Sequence, residues 1–123
     1  LIPVQAQYLS IKGLEQLIKN IGRVRKHLNP NLEIEGILLT MTDNRTNLSK
    51  ETSKLLRENY GRQIRIFQSE IPHSVRASET SIVGQSIYTY DKNGKAALAY
   101  RKLTEEVLQN EKSLKKHKTD LLR

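Results

Sequence analysis

Two polar segments carry the residues of this chain that could do chemistry. Thr42-Asp43-Asn44-Arg45-Thr46-Asn47 follows one apolar run, and Pro72-His73-Ser74-Val75-Arg76 follows a shorter one, with Glu79 three residues further on. Carboxylates, guanidiniums and an imidazole gathered at one edge would bind a polar or anionic ligand. Arginine suits phosphate through its forked donors. Catalysis is harder to assemble from the same residues. A metal needs two or three converging ligands, yet His73 stands by itself, with His27 near a helix end and His117 in the tail. Ser74 or Ser78 beside His73 lacks both a group to orient the imidazole and a glycine-rich nucleophile elbow. Serines so placed usually cap helices or satisfy turns. Neither GxxxxGK[ST] nor GxGxxG occurs, so the sequence carries no phosphate cradle of either kind.

The elements that must position these residues alternate. Leu1-Ile2-Pro3-Val4 reads as a strand. Ser10 to Leu28 reads as a helix: Ile11, Leu14, Leu17, Ile18, Ile21, Val24 and Leu28 recur every three or four residues, Ser10 can cap the start, and Asn29-Pro30 ends it. Ile34 to Met41 is apolar without alternation, which predicts a strand buried on both faces. Leu48 to Tyr60 predicts a second helix closed by Gly61, and Ile64 to Phe67 a third short strand. Ser69 to Tyr90 reads as a long loop with a helical turn at Ser78 to Gly84. A turn at Asp91-Lys92-Asn93-Gly94 then leads into a last helix over Ala96 to Leu108, followed by a polar, basic tail to Arg123. Such alternation predicts a parallel sheet with right-handed crossovers. If the strands lie in chain order, both crossover helices pack on one face, and the Ala96 to Leu108 helix is the candidate to cover the other. Ligands of open parallel sheets bind beyond the carboxyl ends of the strands. Gln5 to Tyr8, Thr42 to Asn47 and Pro72 to Arg76 would therefore share one rim.

Composition sets the outer limits. The 123 residues suit one domain or part of one, with 37% hydrophobic and 28% charged residues. No apolar run approaches the roughly 20 residues needed to cross a bilayer. Absence of cysteine excludes disulfides and thiolate metal sites and fits a cytoplasmic protein. Lys and Arg number 21 against 13 acids, a net charge of +8. That excess points to a polyanion such as nucleic acid, or to a solubilising surface charge. Lys12, Lys19, Arg23 and Lys26 form one stripe of the first helix, and Lys112, Lys115, Lys116, Lys118 and Arg123 a second cluster. Each could meet phosphates or simply face solvent. With five Tyr and one Phe, there is little aromatic surface for stacking single strands.

The stretches LIPVQAQYLSIKGLEQL, EIEGILLTMTDNRTNLS and IPHSVRASETSIVGQSIYTYDKNGKAALAYRKLTEEVL together resemble the carboxyl-terminal half of the ParA/Soj family of partitioning ATPases. The resemblance runs from Leu1 to about Leu108, so 1–108 is expected to be the carboxyl-terminal portion of such a domain and 109–123 a basic tail. It implies a P-loop NTPase-like, Rossmann-like three-layer α/β fold. It also implies an ATPase using ATP and Mg²⁺ that dimerises, binds DNA without sequence preference, answers to a ParB-type partner, and acts in the cytoplasm on the nucleoid to segregate chromosomes or plasmids. The family's P-loop lies upstream of where this chain begins, so the chain alone is expected to be inactive as an ATPase.

In the family, the loop after the last strand reads like IPRNVRLSEAPS. By this resemblance Pro72, His73 and Ser74 line the nucleotide base, Glu79 accepts a ribose hydrogen bond, and Thr40 and Met41 flank the same pocket. Arg45 and Arg76 face DNA phosphates. The chain departs from the pattern at His73 (usually Arg), Ser74 (Asn), Ala77 (Leu) and Thr80-Ser81 (Ala-Pro). The alternative to the ATPase reading is a non-catalytic scaffold or interaction module of a mobile element that keeps only the fold. A chain opening in a strand is expected to expose an apolar edge and to self-associate, most simply as a homodimer.

Overall fold

The computed structural model describes residues 1–6 and 11–122. The expected helix cap Ser10 and the rim residues Gln7 and Tyr8 lie outside them. A three-stranded parallel sheet in the order β1 (Ile2–Gln5), β2 (Ile37–Thr42), β3 (Ile71–Pro72) forms the centre. β1 is paired in register with β2 from Ile2↔Ile37 to Gln5↔Thr40. The strands follow chain order.

Side chains on a strand alternate between faces, and β2 divides the core accordingly. Ile37 and Leu39 join Ile2, Ala6, Leu14 and Leu56 in one cluster, under α1 (Ile11–His27) and α2 (Asn47–Tyr60). Leu38 joins Phe67, Ile71 and Leu103 in the other, under α5 (Lys95–Leu121). The helix after the Asp91–Gly94 turn thus covers the second face. Full burial of a Leu, Ile or Phe side chain stabilises by about 1.5–3 kcal/mol, so Phe67, Ile37, Leu39 and Leu56, all essentially inaccessible, anchor both layers.

Four expectations need correction. β2 begins at Ile37 rather than Ile34. Gly36 sits so close to Phe67 that an added Cβ would lie 2.7 Å from Cε2 of the ring, and the chain reaches this point without strand pairing. The third strand is not Ile64 to Phe67. Ile66 makes a single bridge to Ile37, and pairing resumes only at Ile71, opposite Thr40. The Phe67 N–H still donates to the Ile37 carbonyl at 2.9 Å, but five positions along the third segment then span three along β2, so residues 68–70 bow out of the sheet. β2 answers with its own irregularity between Thr40 and Thr42, where Met41 takes φ 55°, a left-handed conformation costing on the order of 1–3 kcal/mol for such a residue.

The long loop from Ser69 to Tyr90 is mostly helical: α3 spans Val75–Val83 and α4 spans Ile87–Tyr90. Neither has a buried residue, which is why no apolar period announces them. Ser74 caps α3, and Gly84 ends it at φ 67°, where glycine pays no Cβ penalty. Finally, helix does not stop near Leu108. α5 runs 27 residues, about 40 Å, and every described side chain from Glu111 onward is exposed.

Candidate functional site

The segments following β2 and β3 come together at the carboxyl end of the sheet. The His73 N–H donates to the Thr42 carbonyl at 2.9 Å and carries the pairing one step beyond the strands. Thr42 is buried, and its hydroxyl donates to the Ile71 carbonyl at 3.4 Å. Thr40, half-buried, donates to the Val4 carbonyl at 3.5 Å.

After β2 the chain folds upon itself. Arg45 grips Asp43 in a forked pair, Nε to Oδ1 at 3.0 Å and a terminal nitrogen to Oδ2 at 3.1 Å, while the Arg45 backbone N–H also donates to Oδ1 at 3.0 Å. The side-chain bond from Arg45 is the main reason that the Asp43 pKa is held down to about 2; the backbone bond adds to it, burial opposes it, and Lys95 contributes through space. Ser49 Oγ accepts from the Asp43 N–H at 2.9 Å, and Thr46 Oγ1 caps α2 by accepting from Ser49 N. The Arg45 side chain remains 84% exposed, but its charge already has a partner.

After β3 the arrangement is more open. Ser74 Oγ accepts from the Ala77 N–H at 3.2 Å, so the hydroxyl expected to line a base serves as a helix cap. Arg76 and Glu79 stand three apart on α3, on neighbouring positions of one face, and both meet Tyr90 of α4. The Tyr90 hydroxyl donates to Glu79 in a very short bond, and the Arg76 guanidinium lies 5.7 Å from the ring centroid. That bond to Glu79, helped by burial, raises the Tyr90 pKa. The carboxylate expected to meet a ribose is thus engaged with Tyr90.

A cleft of about 450 Å³ opens between these segments and α5. Thr42, Asn44 and Pro72 line one side, Lys95, Leu98, Ala99 and Lys102 the other, and the bowed segment Gln68-Ser69-Glu70 closes an end. That segment is clamped twice. Glu106 of α5 accepts the Gln68 and Ser69 N–H groups at 2.7 and 3.0 Å. Burial works to raise its pKa, but these bonds prevail and lower it. From α2, Arg57 donates to the Phe67 carbonyl at 3.1 Å and to Glu70 Oε1 at 3.0 Å.

Of the six residues expected around a nucleotide base, only Pro72 lines this cleft. Thr40, Met41, His73, Ser74 and Glu79 stand nearby on the same end of the sheet. Arg45 and Arg76 do not line it. Sequence reasoning passed over Lys95, Lys102, Tyr90, Glu106 and Arg57. The seven-residue spacing of Lys95 and Lys102 places them on one helical face, the only available sign; the others depend on tertiary placement.

Among the described residues no group of three or more His, Asp or Glu could hold a metal ion, and no helix is long and apolar enough to cross a membrane. The one carboxylate lining the cleft, Glu70, is already paired with Arg57, so the cleft offers no carboxylate set for Mg²⁺.

No family model matches the chain. It is 39% identical to the chromosome partitioning protein ParA of Caulobacter vibrioides over 90% of its own length and 41% of that protein. It is 41% identical to the sporulation initiation inhibitor protein Soj of Bacillus subtilis over 89% of the chain and 42% of the relative. With the chromosome-partitioning ATPase Soj of Thermus thermophilus it shares 38% identity over 87% of the chain and 42% of the relative. The chain therefore spans about two-fifths of the length of these relatives, and it matches their carboxyl-terminal part.

Proposed function

Because this chain belongs to the ParA/Soj family, we propose that it serves in partitioning of chromosomes or plasmids as the carboxyl-terminal part of a ParA-like ATPase, contributing a nonspecific DNA-binding surface and the purine-facing rim of the nucleotide site. The observation that carries this reading is the identity of about two residues in five with named partitioning proteins across nearly the whole chain. The rim at the carboxyl end of a parallel sheet and the net charge of +8 agree with it. ATP and Mg²⁺ would supply the phosphoryl chemistry in the whole protein. Here Pro72, with Thr40, Met41, His73, Ser74 and Glu79 around it, would border the base and ribose. Arg45 and Arg76 would meet DNA phosphates. A ParB-type protein and a second copy are the partners this reading implies, at the nucleoid in the cytoplasm.

One observation favours the non-catalytic scaffold instead. Ser74 and Glu79 spend their side chains on a helix cap and on Tyr90, which thins the nucleotide rim. Nonspecific DNA binding separates the readings. Duplexes of unrelated sequence should bind with equal affinity and a clear salt dependence. Arg45→Ala with Arg76→Ala should weaken all of them alike and flatten the slope of log K against log salt by between one and two units. An unchanged affinity and slope in the double variant would remove these arginines from the DNA surface.

A further inference from the structure

The last turns of α5 keep an apolar spacing after the helix has left the sheet. Up to Val107 the helix lies on the core: Ala96 and Leu103 are buried, and Val107 packs against the second cluster. Leu103, Val107, Asn110, Leu114, His117 and Leu121 then follow at intervals of four, three, four, three and four. Such a heptad seam belongs to a helix that packs against another helix. Its first part meets the sheet. Its second part leaves Leu114 and Leu121 53% and 72% exposed. A helical stretch of about a dozen residues is marginal in water without a packing partner.

Two further features lie where the helix leaves the sheet. Nδ2 of Asn110, on the seam, is buried and has no hydrogen-bond partner among the described residues. A buried amide left so is costly, and one polar residue in a heptad seam serves to fix register and partner. Beside it a groove of about 390 Å³ opens between α5 and the segment leading into β2. Glu33, Glu35 and Glu111 bring three carboxylates to this groove, against the single cation Arg65. The turns that follow are the reverse: Lys112, Lys115, Lys116 and Lys118 against Asp120. Lys118 stands about 10 Å along the axis from Glu111, so one helix cannot close that pair on itself. Two copies can.

We propose that this end of α5 is where two copies of the chain pair. The helices cross antiparallel, Leu114, His117 and Leu121 of each pack along the seam, and the basic turns of each copy lie over the acidic groove of the other. The same surface serves both copies, so the contact closes as a two-fold dimer. Antiparallel crossing brings like flanks of the seams together, and Glu111 of one copy faces Lys118 of the other. Parallel crossing would set the two acidic grooves side by side. The overlap is short, and a Kd on the order of micromolar is expected. The pairing needs no nucleotide, lies apart from the edge of β1, and does not depend on the partitioning reading.

Sedimentation equilibrium of the chain from low to high micromolar concentration, without nucleotide, tests it. A reversible monomer–dimer equilibrium is expected. Leu114→Gln with Leu121→Gln, both at exposed positions and both keeping a good helix former, should weaken dimerisation about tenfold or more and leave the monomer folded. Glu111→Lys alone and Lys118→Glu alone should each weaken it. The two together should restore it, because the exchanged charges meet again between copies. Failure of that rescue would overturn the antiparallel crossing. A dimer that the leucine substitutions leave intact would place the contact elsewhere, as at the edge of β1, and overturn the proposal. So would a chain that stays monomeric at high micromolar concentration; NMR shifts at Leu114 and Leu121 on adding anionic vesicles would then give this face to a lipid surface.

Discussion

The segments leaving β2 and β3 each present an arginine at the same end of the sheet, but they hold it differently. Arg45 is clasped by the Asp43 carboxylate through two side-chain bonds. Arg76 rests against the Tyr90 ring, with Glu79 turned to the phenol. A carboxylate cancels a guanidinium's charge at short range, whereas an aromatic face steadies it and leaves the full charge in place. Two residues that look equivalent in sequence therefore differ in what they can offer a polyanion. On the proposed DNA surface Arg76 would be the stronger phosphate donor. Arg45 must first be shared with, or released by, Asp43.

Releasing Arg45 is the most forceful way to break this difference. Asp43→Asn removes the cancelling charge while keeping the side chain's size, and DNA affinity at low salt should rise about fivefold. Protonation is the milder route to the same end. The Asp43 pKa is lowered in the folded state to about 2 from an ordinary 3.8. The pair therefore stabilises the fold above pH 3.8, and its contribution is lost as pH falls from there through about 2. A carboxyl titration followed by NMR should place Asp43 well below the ordinary 3.8. A midpoint near 4 would mean that the clasp is open in solution.

A smaller effect is expected on the other side. Tyr90→Ala removes the ring beneath Arg76 and should weaken DNA binding about two- to threefold through lost preorganisation, in line with an exposed cation–π contact of about 0.5–1 kcal/mol. Tyr90→Phe keeps the ring and should change binding little. If both substitutions act alike, the phenol's bond to Glu79 matters and the ring does not.

This contrast also marks where sequence reading succeeds and where it stops. The amphipathic period of α1, the apolar run of β2 and the turn at Asp91 to Gly94 were all legible, because each is encoded by neighbours in the chain. β3 was not legible, since pairing breaks off after the Ile66 bridge, residues 68–70 bow out, and the ladder resumes only at Ile71 and Pro72. α3 was hidden because it buries nothing, although Ser74 and Gly84 carry sound start and stop signals. Within the site, Asp43 and Arg45 lie two apart, and their pairing is local. Arg76, Glu79 and Tyr90 meet only because Gly84 turns the chain and α4 folds back along α3. The Lys95 and Lys102 face was visible as a spacing, but nothing in the sequence indicated which face of α5 borders a cleft.

The most direct test of unequal arginines is the salt dependence of duplex binding for the unsubstituted chain, Arg45→Ala and Arg76→Ala, measured side by side. Each phosphate contact adds about 0.9 to the slope of log K against log salt. The structure predicts that Arg76→Ala flattens the slope by about one unit and weakens binding about tenfold at low salt, whereas Arg45→Ala changes the slope by well under half of that. Equal slopes for the two variants, or a larger loss in Arg45→Ala, would contradict the account.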